Sequence, residues 1–428
     1  LFSSLWKTLP SLGRLVRRHP ALAVALVALV ASAGYVLGRR QYGQYHLAAA
    51  RRALEQSHLE DAREHLAICR KVWPRDGGVT LLAARTARRC GDLAEARSLL
   101  ARCEELGGAT DEVALEGALL AAQAGELTAQ VEAALWERLK QGDPEAPLIL
   151  EALTLGYLVT YRLGHALDCA ERLLARRPDD ARALLWRGWV REGMHEPETA
   201  LKDYRLALGK DPGFDTARLH LAELLMPRRP REAAAHFERL RREKPADPEV
   251  FLGLARCRRL LGQTAKARRL LDGVLRQKPR WPGALRERGR VALADRRPAE
   301  AETWLRRALA ADPHDPEACS SLARCLSLLG RKDEAARFEA RSRRIRADFE
   351  RLWEIGQKIG RSPRDVELRF RAGSICVCNG QGREAERWFR GALQIDPTHR
   401  PTLRALAALY DRAGQPDLAA RHRRLAEK

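Results

Sequence analysis

Methionine is almost missing, with two residues in 428, and aromatic side chains make up only 6% of the chain. A core must therefore be assembled from leucine, alanine and valine, which suits helices packed closely through small residues. No GxxxxGK phosphate loop, GxGxxG turn, GxSxG elbow or HExxH pair occurs. Gly209-Lys210 comes nearest to a phosphate loop, and it lacks the upstream glycine. Cysteine numbers nine, yet no CxxC or CxxCH spacing is present; Cys376 and Cys378 form only CxC. The eleven histidines are scattered, and carboxylates such as Glu60, Asp61 and Glu64 fall at the spacing of a solvated helix face. No catalytic, metal-binding or cofactor-binding residue is nominated, no cofactor is expected, and the chain reads as a non-enzyme.

Charge of one sign dominates instead. The net charge is +21, and arginine outnumbers lysine. A basic balance invites a nucleic-acid or anionic-membrane partner. The arginines are spread along the whole chain without a nucleic-acid-binding motif, so an arginine-rich helical surface is favoured and nucleic acid is the disfavoured partner.

One phrase recurs about every 34 residues: an alanine, a large apolar residue four positions on, and a proline twelve positions on. Ala62, Leu66 and Pro74 spell it, as do Ala200, Tyr204 and Pro212. So do Ala233, Phe237 and Pro245; Ala267, Leu271 and Pro279; Ala301, Leu305 and Pro313; and Ala385, Phe389 and Pro397. Twelve residues before the alanine stands a small residue, for example Gly188, Ala255, Gly289, Ala323 or Gly373, where two helices can approach closely. Five residues before it a glycine often marks the turn: Gly91, Gly125, Gly164, Gly262, Gly330, Gly380 and Gly414. Most cysteines occupy small-residue slots of this pattern and read as packing residues.

The joint pattern resembles the tetratricopeptide repeat over roughly residues 43–428. The resemblance implies an all-α fold: a right-handed α-solenoid of stacked antiparallel helix pairs, with protein partners bound on its inner face. Degenerate repeats are expected over 41–178, where Gln130 and Cys169 replace the alanine. Regular repeats are expected over 179–342, a helical insertion over 343–364, and closing repeats with a polar cap over 365–428. From Phe338 on through the insertion, Ile345, Phe349, Leu352, Ile355 and Ile359 recur at helical spacing, so the second helix of that unit is expected to run long.

Ahead of the repeats, residues 20–38 carry no charge, and residues 1–19 form a basic amphipathic segment. At about 1.5 Å per residue such a run covers most of a ~30 Å hydrocarbon layer. The favoured reading is a transmembrane signal anchor in a bacterial inner membrane. A cleaved leader using Ala31-Ser32-Ala33 and a buried helix are the alternatives. Lys7, Arg14, Arg17 and Arg18 on one side balance Arg39, Arg40, Arg51 and Arg52 on the other, which leaves the orientation open. Gly38–Gln44 reads as a short joint.

In the resemblance, the first helix of each pair lines the groove. The position after the small residue then gives Trp189, Glu223, Arg256, Arg290 and Arg324, with Arg259 and Arg286 close by. Arg256, Arg290 and Arg324 are 34 residues apart and form an expected ladder for an acidic or C-terminal peptide. Trp186 and Trp189 are the expected aromatic anchor at one end. The lysine and asparagine clamp that some family members use for chaperone tails is not reproduced. The favoured role is a membrane-anchored protein-binding scaffold. An organelle-surface receptor or assembly factor and a basic nucleic-acid-binding solenoid are the alternatives.

Overall fold

A computed structural model describes residues 20–427 apart from 56, 57, 108, 109 and 363. Among the described residues all regular structure is helical, in 22 helices. The chain divides into two compact units, Leu1–Ala124 and Gly125–Lys428.

The first unit holds α1 (Pro20–Glu55), α2 (Leu59–Val72), α3 (Gly77–Arg89), α4 (Leu93–Glu105) and α5 (Asp111–Gln123). Helix α1 is unbroken through residues 38–44, so the expected joint is not there. Its second half pairs with α2. Gly43 lets the helices approach: an added Cβ would lie 2.7 Å from the Trp73 ring. The Nδ1 atoms of His46 and His65 sit 2.8 Å apart in the same seam. Leu29, Tyr35, Val36 and Leu37 on the first half of α1 are exposed. Among the described residues no helix is long and apolar enough to cross a membrane. The basic segment 1–19 lies outside the described residues.

The second unit contains seventeen of these helices. Its regular part comprises the pairs α7 (Ala146–Val159) and α8 (Leu163–Arg176), and α9 (Ala181–Gly193) and α10 (Pro197–Lys210). These are followed by α11 (Asp215–Leu225) and α12 (Pro230–Glu243), and by α13 (Pro248–Leu260) and α14 (Thr264–Gln277). The pairs α15 (Pro282–Ala294) with α16 (Pro298–Ala311), and α17 (Pro316–Leu328) with α18 (Lys332–Arg361), continue the stack. The unit ends with α19 (Val366–Cys378) and α20 (Gly382–Ile395), then α21 (Arg400–Arg412) and α22 (Pro416–Glu427); α6 (Ala129–Lys140) precedes them all. Each pair packs on the next in chain order.

Local chemistry sets the helix ends. Asp180, Asp247, Asp315 and Asp365 cap first helices by accepting backbone N–H bonds, as in the 2.9 Å contact from Ala318 to Asp315. Proline opens α10, α12, α13, α15, α16 and α17, where its missing N–H costs nothing. Inside each hairpin the repeat alanine is fully buried, as at Ala200, Ala233, Ala267, Ala301 and Ala385. The small residue opposite is required: at Gly289 an added Cβ would lie 2.6 Å from Leu305 Cγ, and at Gly188 and Gly373 it would overlap the rings of Tyr204 and Phe389.

The structure shifts one repeat. At residues 145–178 the alanine site is Ala166, fully buried, with Ala170 four residues on and Pro178 twelve residues on. Cys169 is also buried, but it belongs to the neighbouring turn of α8. The turn residue with positive φ is accordingly Tyr161, and Gly164 lies within the first turn of α8. Over residues 110–144 the expected hairpin does not form within one unit: α5 closes the first unit and α6 opens the second. Gln130 is exposed, and Glu132 of α6 is instead tied to Tyr157 of α7 and to Arg162 at the start of α8.

Helix α18 runs 30 residues without a break. Ile345 belongs to a core cluster built from residues of α13–α17, with Phe349 packed against it. Ile355 and Ile359 belong to another cluster with Phe389 and Leu406.

Candidate functional site

First helices of successive repeats touch one another directly, as α13 touches α15 and α15 touches α17. They therefore form the inner side of the stack, and the expected ladder lies on three of them. Arg256 and Arg259 are on α13, Arg286 and Arg290 on α15, and Arg324 on α17.

Four of these arginines converge on one acidic residue that sequence reasoning passed over. Glu287 is fully buried. Arg259 Nε donates to its Oε2 at 3.0 Å, and Arg290 Nη1 donates to its Oε1 at 3.0 Å. Arg256 Nε stands 3.9 Å away, and Arg286 Nε 4.0 Å away. Burial by itself raises the Glu287 pKa, but the guanidiniums of Arg259, Arg290 and Arg256 outweigh it and hold the carboxyl below its ordinary value. On the other side Arg286 pairs with Asp315, and Arg290 Nη1 reaches Glu317 at 3.2 Å. Arg324 is exposed, with no ion pair among the described residues. Four guanidiniums thus face Glu287, Asp315, Glu317 and, through Arg256, Glu223, and most of them are held in place rather than freely mobile.

The aromatic end divides. Trp186 is 3% exposed, with the Arg182 guanidinium 5.0 Å from its ring centroid, so it has almost no surface to offer. Trp189 is half-buried against His220 at 5.3 Å, and its Nε1 is buried without a hydrogen-bond partner. Burial lowers the His220 pKa and raises those of Glu192 and Glu223 nearby. The inner face is less basic around Trp189, where His220 and Glu192 gather, than around Arg290, where four arginines do.

Glu287 was detectable in the sequence. It follows Arg286 directly and precedes Arg290 by three, the spacing of a helical ion pair. Its burial was not detectable, because it depends on Arg259 from the preceding repeat. Among the described residues no group of three or more histidine, cysteine or carboxylate side chains is placed to hold a metal ion.

Sequence profiles of the tetratricopeptide repeat match residues 47–109, 162–215 and 261–316 in one form, and 227–286 and 292–359 in another. The chain is 32% identical over 155 residues to cellulose synthase operon protein C of Pseudomonas fluorescens. That match covers 36% of this chain and 11% of the relative, so the chain spans about a tenth of the relative's length. A thermophilic TPR protein of Thermus thermophilus aligns with a TM-score of 0.34 at 22% identity, over 46% of this chain and 99% of the other. A tetratricopeptide repeat protein from Parabacteroides merdae aligns with a TM-score of 0.36 at 19% identity, over 67% of this chain and 99% of the other.

Proposed function

The chain belongs to the tetratricopeptide-repeat family, whose members generally mediate protein–protein interactions, and from that premise we propose that it is a scaffold holding acidic partner peptides on its inner face. The observation that carries this reading is the arginine group around Glu287. Together with the exposed Arg324, its guanidiniums outnumber Glu287, Asp315, Glu317 and Glu223 by five to four. Because Glu287, Asp315 and Glu317 already fix their directions, an incoming carboxylate would order fewer side chains than on a free arginine surface. Arg324 extends the line beyond this group, and Trp189 supplies an aromatic surface at the other end.

The same proposal includes a membrane anchor at residues 20–38. Its support is the uncharged run, the arginines that follow it, and the exposed Leu29, Tyr35, Val36 and Leu37 on a helix that continues into the first repeat. Tethering raises the local concentration of partners at a membrane surface, so modest affinity suffices.

Titration of the full chain with a glutamate-rich peptide tests the groove. Binding should weaken steeply between low and high salt and fall in Arg324→Glu, a surface change that leaves the Glu287 group intact. Equal affinity in both salts and in the variant would refute the acidic-peptide reading. Partition of the full chain into membranes, with a variant lacking residues 1–40 left in solution, tests the anchor separately.

A further inference from the structure

In a stack of repeats each unit ordinarily touches only its neighbours. The second unit departs from this at two hairpin turns. At most turns the left-handed residue is glycine: Gly262, Gly330, Gly380 and Gly414 have φ between 70° and 79°. Three other residues occupy the same register, five positions before a repeat alanine: Tyr161 (φ 55°), His195 (φ 61°) and Arg296 (φ 57°). A side chain in this region is strained, and most of all a bulky one. Arg296 ends in solvent, so the register alone carries no meaning.

Tyr161 and His195 differ because each meets a tryptophan far along the chain. The Tyr161 ring stacks on Trp388 of α20, with centroids 5.2 Å apart and planes inclined by 17°. The His195 ring meets Trp353 of α18 edge to face at 5.0 Å and 82°. Glu384, one turn before Trp388, faces the Tyr161 hydroxyl. The surrounding seam is not tightly filled. A cleft of about 490 Å³ opens beside Tyr161, lined by Leu163, His165, Met194 and Gln357. At Gly356 on its wall an added Cβ would meet nothing within 4 Å. Tyr161 and Trp353 stay 41% and 45% exposed.

We propose that Tyr161 and His195 form a two-point aromatic clasp that holds the second unit closed on itself and can release without unfolding a repeat. Two ring contacts span the seam, a cleft opens beside them, and the backbone strain at both turns is of the same order as an aromatic contact. Every helix on either side keeps its own stacking neighbours when the rings part.

Hydrogen exchange on the full chain tests the clasp. The Tyr161→Gly/His195→Gly variant gives both turns the residue used elsewhere in the stack, so it removes the rings while relieving the backbone. Amides over 352–357 and 384–390 should then exchange at least fivefold faster, with those of α13–α16 unchanged. Trp353→Ala, at a half-exposed position, should accelerate the same stretches and serves as the second variant should the first lose helical circular dichroism. Rates within twofold of the parent at both stretches, in whichever variant keeps its helical signal, would overturn the proposal.

Discussion

Arg162 and Glu132 form a two-pronged pair: Nη1 donates to Oε2 and Nη2 to Oε1, each at 2.7 Å. The Tyr157 hydroxyl donates to the same carboxylate at 2.6 Å and accepts from Trp136 Nε1 at 2.9 Å. The Arg162 guanidinium also lies 4.5 Å from the Tyr157 ring centroid. This network fastens α6 to the repeats that follow, where the alanine pattern has lapsed.

Arg162→Ala should lower the stability of the second unit by about 1–2 kcal/mol, because it leaves a half-buried carboxylate with only the Tyr157 hydroxyl as partner. Urea denaturation followed by helical circular dichroism measures it. Burial by itself raises the Glu132 pKa, but the bonds from Arg162 and Tyr157 outweigh it and hold the carboxyl below its ordinary value of 4.5. A depressed folded value means the stabilisation is complete above pH 4.5 and is lost as pH falls toward the folded value. Glu132→Gln should therefore flatten the acid limb of the stability profile.

Glu287→Gln should separate stability from binding. Arg259 and Arg290 lose the charge that holds them, so the urea midpoint falls. The inner face gains one net positive charge, and a glutamate-rich peptide should bind roughly three- to tenfold tighter at low salt. A peptide affinity that drops with stability would show that fixed guanidinium geometry matters more than charge.

Two glycine substitutions should have opposite signs. Gly289→Ala drives a methyl into Leu305 and should destabilise by about 1–3 kcal/mol. Gly356→Ala, inside α18 with open space around it, should stabilise by about 0.5–1 kcal/mol through helix propensity. Thermal melts of the two variants beside the parent decide both.

The cysteines give a count to check. Cys378 is exposed, while Cys69, Cys103, Cys169, Cys257, Cys319, Cys325 and Cys376 are buried. Burial pushes the Cys169 and Cys376 thiols up to about 12 and Cys257 up to about 11. Maleimide at pH 7.5 should label Cys378 first, the half-buried Cys90 more slowly, and the others only in denaturant. Fast labelling of Cys169 or Cys376 in the native protein would contradict their place in the core.

The repeats were legible because each hairpin solves the same local packing problem. Gly188 opposite Tyr204 and Gly289 opposite Leu305 both follow from a small residue twelve positions before an alanine. The exceptions came where another physical demand overrode the pattern. Cys169 looked like the alanine site because it too is small and buried, yet Ala166 and Pro178 carry the phase. The arginine ladder was periodic and therefore visible, whereas its neutralisation by Glu287 needs two repeats in register. The contacts of Tyr161 with Trp388 and of His195 with Trp353 join distant turns, and a contact made once has no period to reveal it.

Helix α18 places Phe349 against one hydrophobic interior and Leu352 against another, less than one turn apart. The two interiors have no hinge between them in this stretch, only continuous backbone hydrogen bonding. A defect in either one is felt by the other through the pitch of a single rod, so the segment from α13 to α22 should melt in one cooperative step rather than fray repeat by repeat.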